Sequence, residues 1–168
     1  MNKLLDFVNL HAAIGRGLDH LRSLLLLGTR LWVSWQFLKS GWLKVTSWDV
    51  TLELFRSEYH VPLLPPYLAA VVGACGELFF PVLLILGLFT RLGALGLFAV
   101  NAMAVISYWH VLGSEGFEAA LAQHVLWGYM IAVLALCGGG SISLDKLLEQ
   151  RSAKRCRPMM RTAAMSAL

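Results

Sequence analysis

Tyr67-Leu68-Ala69-Ala70-Val71-Val72-Gly73-Ala74-Cys75-Gly76-Glu77-Leu78-Phe79-Phe80-Pro81-Val82-Leu83-Leu84-Ile85-Leu86-Gly87-Leu88 is an apolar run of bilayer-spanning length with one carboxylate, Glu77, in its middle. A lone acid at mid-membrane costs roughly 2.5–3.5 kcal/mol on insertion scales, so it needs a partner, a proton or a water-filled cavity. The preceding apolar run carries Arg30, which could supply that partner. The chain therefore reads as a small polytopic membrane protein with a polar centre.

The composition agrees. Of 168 residues, 58% are hydrophobic and 14% charged, against about 25% charged in soluble domains. The first twenty residues contain Lys3, Asp6, His11, Arg16, Asp19 and His20, which interrupt the apolar segment a removable signal peptide needs. Insertion is expected to rely on the first retained span. The net charge of +4 gathers at the two ends. Positive charge beside membrane spans has a topological explanation, so nucleic acid is not an expected partner. Cys75 and Cys137 lie in apolar runs and Cys156 in the basic tail, with no CxxC; all three read as small packing residues.

Four spans are expected, at about 23–44, 66–88, 92–111 and 120–137, each near the ~20 residues that a ~30 Å hydrocarbon core requires. Pro65-Pro66 opens the second, Thr90-Arg91 forms a tight hairpin to the third, and Gly138-Gly139-Gly140 ends the fourth. Lys3, Arg16 and Arg22 precede the first span, Arg91 sits between the second and third, and Lys146, Arg151, Lys154, Arg155, Arg157 and Arg161 follow the fourth. The other two connections are acidic, with Asp49, Glu53 and Glu58 in one and Glu115 and Glu118 in the other. Both termini are therefore expected in the cytoplasm and the acidic connections outside. Between Ser47 and Pro62, the residues Trp48, Leu52, Phe55 and Tyr59 fall near helical spacing, which suggests an amphipathic helix capping the bundle. The expected architecture is all-α: a four-transmembrane-helix bundle with a short amphipathic outer helix. It forms one membrane domain over 1–148, followed by a basic cytoplasmic tail over 149–168.

Arg30, Ser34, Phe37, Gly41 and Lys44 make one stripe on the first span. At ~1.5 Å per residue, Arg30, Asn101 and Glu77 lie roughly 10, 14 and 16 Å from the inner boundary. That spacing allows an Arg30–Glu77 pair bridged by Asn101. Lys44, His110 and His124 gather in the outer third, with Tyr108 and Trp127 nearby. Bland readings stand beside each of these. The buried pair could be a register clamp, Lys44 could snorkel, and His110 could belong to an interfacial aromatic belt. Two histidines without a third ligand make no metal site by spacing.

Several motifs together carry a resemblance. Arg30, then Gly41-Trp42-Leu43-Lys44, Trp48-Asp49-Val50-Thr51-Leu52-Glu53-Leu54-Phe55 and Val61-Pro62-Leu63-Leu64-Pro65-Pro66 resemble the DoxX family of small membrane proteins. So do the run from Glu77 through Gly87-Leu88-Phe89-Thr90-Arg91, then Asn101, His124 and Ser143-Leu144-Asp145. The resemblance implies a four-helix fold in the bacterial inner membrane and an association with quinone-linked or oxidative-stress redox complexes. No cofactor is assigned by the residues; a quinone is the candidate. Its headgroup would meet Lys44, His110 or His124 as donors and Tyr108 or Trp127 as aromatic walls. Three functions remain open: a quinone-linked redox subunit working with a membrane or periplasmic redox partner, a non-enzymatic scaffold or assembly partner, and a small transporter. The last requires homo-oligomerisation, because four spans are few for a pathway.

Overall fold

The structure, a computed structural model, describes residues 2–152. Lys154, Arg155, Cys156, Arg157 and Arg161 of the expected tail lie outside the described residues. Among the described residues every regular element is a helix: α1 (Asn2–Thr46), α2 (Trp48–Ser57), α3 (Pro66–Leu86), α4 (Thr90–Ser107), α5 (Trp109–Leu112) and α6 (Glu118–Cys137). A further helix, α7, covers 144–152.

Local chemistry sets the boundaries. Pro65 is extended and Pro66 occupies the first turn of α3, where its missing N–H costs nothing. Gly87 ends α3 with φ 66°, and Gly138 ends α6 with φ 74°. Ser143 precedes α7 and its Oγ accepts the Lys146 N–H at 3.3 Å, a side-chain cap.

Three boundaries differ from the sequence expectation. α1 begins at Asn2 instead of Ser23, because the polar stretch before the apolar run contains no proline to stop a helix. The turn between α3 and α4 falls at Gly87–Phe89, and Thr90 and Arg91 already belong to α4. The Asp145 carboxylate makes this start possible by accepting the Phe89 and Thr90 N–H groups at 2.7 and 2.9 Å. The expected third span is cut at Tyr108, because the Ser107 carbonyl is taken by the His60 N–H at 2.9 Å. A separate turn, α5, follows.

α1 packs on α3, α3 on α4, α4 on α6, and α6 closes back on α1. Leu26, Val33, Phe37, Leu84, Ala94, Leu97, Ile131 and Leu134 form the central core. A second cluster joins Phe55 of α2 to Ala69 and Ala70 of α3, with Trp48, Tyr59 and Val61 around them. The amphipathic helix between Ser47 and Pro62 therefore exists as α2 and covers the start of α3.

Polarity is inverted relative to a soluble domain. Arg30, Ser34, Glu77, Thr90 and Asn101 are buried, whereas Trp32, Trp35, Phe79, Leu92, Leu95, Val125 and Leu136 are exposed. A soluble surface does not carry apolar area on this scale. α3, α4 and α6 are each long and apolar enough to cross a membrane. Cys75 and Cys137 are exposed and not packed inside as expected. Cys75 lies on the outward stripe Val72, Cys75, Phe79, Val82 and Leu86, whose helical spacing turns it away from the core.

Candidate functional site

The stripe on α1 points inward as its spacing requires, with Arg30, Ser34, Phe37 and Gly41 all buried. What it meets differs from expectation. Lys44, not Arg30, neutralises Glu77: its Nζ donates to Oε2 at 2.7 Å and to Oε1 at 2.8 Å. A third bond goes to Ser40 Oγ at 2.8 Å, so all three ammonium protons are committed. Gly41 makes the contact possible. A Cβ there would come within 3.0 Å of the Glu77 Cβ and of Leu78, so the two backbones approach closely one turn from Lys44.

The same contact excludes an Arg30–Glu77 pair. With Gly41 set against Glu77 and Leu78 on antiparallel helices, Arg30 falls about eleven residues further toward the opposite end of the bundle, roughly 16 Å. It therefore lies at the level of the last turn of α3. There its guanidinium donates to the Gly139 carbonyl and, at 3.5 Å, to the Ile85 carbonyl. A cation placed on the last turn of α3 and on the loop just after α6 is favourable because the carbonyls at a helix C-terminus carry partial negative charge.

The opposite arrangement serves α4. Asp145 caps its N-terminus, donates its own N–H to the Gly87 carbonyl at 2.9 Å, and lies in electrostatic reach of Arg30. Gly87 completes this inner clasp. A Cβ on it would sit 2.7 Å from the Ser143 Cβ and 2.9 Å from Arg30 Nη1. Asp145 and Ser143 belong to the motif that carries the family resemblance, and no periodicity in the sequence announces their role.

Asn101 bridges nothing between Arg30 and Glu77. It holds His124 instead: its Nδ2 donates to the His124 carbonyl at 2.9 Å, and its Oδ1 faces the ring Nδ1 at 2.9 Å. With the amide nitrogen committed, the amide oxygen must accept, so Nδ1 carries a proton. A neutral His124 then keeps its lone pair on Nε2. Its ring meets Trp127 edge-on at 5.1 Å, and Trp127 in turn meets Phe37 at 5.7 Å. The Lys44 ammonium is within electrostatic reach of His124. Lys44, Glu77, Asn101, His124 and Trp127 thus gather toward the end of the bundle where α1 finishes and α6 begins.

His110 and Tyr108 are not in direct contact with that cluster. His110 is exposed, 4.0 Å from Glu58, with its ring 4.8 Å from His60 and 5.5 Å from Tyr108. The cut in α4 at Tyr108 turns these side chains toward the connection between α2 and α3. Tyr59 sits beside this group, with its ring 4.9 Å from that of Tyr108 and 4.7 Å from that of Phe55, both tilted. Burial raises the pKa of its phenol above the ordinary tyrosine range, and Tyr108 and the Glu77 carboxylate add to the effect. Sequence reading placed Tyr59 only on an apolar stripe and missed its contact with Tyr108.

A helical bundle with an apolar exterior and ionised side chains paired inside it is a small integral membrane protein. The family model named DoxX matches residues 25–111, a stretch that includes Arg30, Lys44, Glu77, Asn101 and the Gly87 turn. The chain belongs to the DoxX family. An uncharacterized protein of Haemophilus influenzae is 30% identical over 129 residues, covering 76% of this chain and 84% of that protein. The inner membrane protein YphA of Escherichia coli K12 is 32% identical over 130 residues, covering 74% and 91% respectively. No solved structure matches.

Proposed function

We propose that this DoxX protein is a four-span inner-membrane protein with both termini in the cytoplasm, whose outer cluster receives a quinone headgroup on behalf of a redox partner. The fourth span is the part of α1 beside α3, from about residue 23 to 44. Its outward face carries Trp32, Trp35, Trp42 and Leu43 together with the charged Lys39, while Arg30 and Ser34 point inward. The inner-membrane assignment is supported by the relative of that description and by basic residues on one side of the spans.

The observation that carries the quinone reading is the His124–Asn101 clamp beside the Lys44–Glu77 pair. A quinone or quinol needs a partner for its oxygens, an aromatic wall and access from lipid. The donor set fits. With Nδ1–H fixed on Asn101, Nε2 accepts the hydroxyl proton of a quinol when neutral, and donates to a quinone carbonyl when protonated. Trp127 supplies the wall, and both residues are half-buried, so the ring edge reaches the side of the bundle. Lys44 lends positive potential where charge develops on the headgroup oxygen. Bound quinone would supply the electron chemistry; the side chains bind, orient and move a proton at Nε2.

The test is the quinone content of protein purified from native membranes into nanodiscs. Wild type is expected to retain quinone and His124→Gln to lose at least tenfold in affinity, about 1.4 kcal/mol. Wild type that retains none and binds no added quinone would overturn the reading. A second reading, a scaffold, draws on one feature: α2 exposes Asp49, Val50, Glu53 and Leu54 on the face away from α3. A partner that co-purifies with wild type and is lost on Val50→Asp would favour it.

A further inference from the structure

At the inner end of the bundle, opposite the outer cluster, lies a cleft of about 1000 Å3. Three basic side chains from three helices line it: Arg22 of α1, Arg91 of α4 and Lys146 of α7. Lys146 is paired with Glu149 at 3.1 Å, while Arg91 has no carboxylate partner among the residues whose side chains are described. Asp145 also lines the cleft, but both its oxygens are occupied by the N–H groups that start α4. The charge left to meet a ligand is positive.

The floor is the loop Gly138–Gly140 and Thr90. Thr90 is fully buried and its hydroxyl has no hydrogen-bond partner in the structure. A buried hydroxyl without a partner costs about 1–3 kcal/mol, so a ligand oxygen there would be favoured. Arg91 lies across the loop, its Nε 3.6 Å from where a Cβ on Gly138 would stand. The rim is different in kind. Phe89 and Leu92 line the same cleft and are 59% and 66% exposed on the side of the bundle.

We propose that this cleft binds the phosphodiester headgroup of an anionic phospholipid of the inner leaflet. Arg22 and Arg91 hold the phosphate, and the Thr90 hydroxyl donates to a headgroup oxygen. The acyl chains leave over Phe89 and Leu92. The chemistry needed is that of any phosphate anion, and guanidinium groups match it in geometry as well as charge. The apolar rim selects the lipid over a soluble anion. A basic pocket between helices on the cytoplasmic side is where such headgroups are recognised. Arg30, beneath the floor on the Gly139 carbonyl, adds to the positive potential and takes no part in contact.

The test uses the full chain in nanodiscs and native mass spectrometry of lipid adducts. Phosphatidylglycerol is compared with phosphatidylcholine, and inorganic phosphate and glycerol 3-phosphate serve as soluble competitors. Wild type is expected to prefer phosphatidylglycerol by at least tenfold. Arg22→Gln with Arg91→Gln should remove the preference and leave phosphatidylcholine adducts unchanged. Lys146→Gln, at an exposed site, should weaken it severalfold with no change in melting. Absence of preference in wild type, or full preference in the double variant, would overturn the proposal. Equal competition by inorganic phosphate would also overturn it, by reassigning the cleft to a free anion.

Discussion

Replacing Lys44 by methionine keeps the side-chain length, removes the charge and leaves the Glu77 carboxylate without the cation that contacts both its oxygens. At 2.7 Å and an effective dielectric near 20, the attraction lost is about 6 kcal/mol before desolvation is counted. Removing one member of a buried pair costs about 3–5 kcal/mol net. The Lys44 side chain is 18% exposed and that of Glu77 8%, so the loss belongs near the lower end, about 3 kcal/mol. On the scaling for chains of this size, that lowers the melting temperature by about 6–12 °C.

The assay is tryptophan fluorescence during thermal unfolding in one detergent, run as a double-mutant cycle. Glu77→Gln alone should also destabilise, and Lys44→Met with Glu77→Gln should recover much of the loss, because no uncompensated charge remains. The expected coupling is at least about 2 kcal/mol, within the range for contacting residues. A control cycle pairs Arg30→Met with Glu77→Gln and should show coupling below about 0.5 kcal/mol, as separated sites do. A larger coupling in the control cycle, or a Lys44→Met protein that melts with wild type, would refute the assignment of partners.

Three further outcomes follow from the same geometry. Gly87→Ala forces a side chain into the left-handed backbone and against Ser143 and Arg30. Together about 2–5 kcal/mol of strain and overpacking should sharply reduce the yield of monodisperse protein in detergent; normal yield and melting would contradict it. Asp145→Ala removes two capping bonds from α4 at about 1–2 kcal/mol. Hydrogen exchange at the Phe89 and Thr90 amides should accelerate, and unchanged protection there would count against the cap. Tyr59 has its phenol pKa raised above the ordinary 10.0, so its contribution to stability is complete below that value. It is lost as pH rises through the higher folded-state pKa, since the unfolded chain releases the proton first. Tyr59→Phe should flatten the alkaline loss in a pH series of melting temperatures, and an identical slope in both proteins would oppose the placement.

Helix existence and polarity were readable in the sequence because both are periodic properties. The inward stripe on α1, the start of α3 at Pro66 and the amphipathic α2 each follow from residues a few positions apart. The partner of Glu77 was not readable, because pairing between antiparallel helices depends on their relative register. Counting depth from each apolar boundary placed Arg30 and Glu77 near one level. Gly41 against Glu77 and Leu78 fixes the true register, and it shifts Arg30 to the helix ends. The inner clasp was illegible for a related reason: its acceptors are main-chain carbonyls of Gly139 and Ile85, which every residue possesses. Asn101 and His124 share no sequence spacing, and only the packing of α4 on α6 brings them together.

The two ionic centres differ in a way that bears on where chemistry can occur. Arg30 is 1% exposed and bound to backbone carbonyls at the ends of two helices. Those acceptors are main-chain groups, one in α3 and one in the packed loop after α6, so this buried cation holds geometry. Lys44 and Glu77 are joined side chain to side chain, partly open to the outer end, beside a histidine whose proton position is fixed by Asn101. Side chains can trade a partner for a ligand oxygen by rotating single bonds, with each bond lost replaced by one of similar strength. The Arg30 clasp at one end of the bundle and the Gly41 contact together hold the register that brings the Lys44–Glu77 pair together. On the reading proposed above, ligand exchange falls to Lys44, Glu77 and His124, while Arg30 and Asp145 hold the helices that present them.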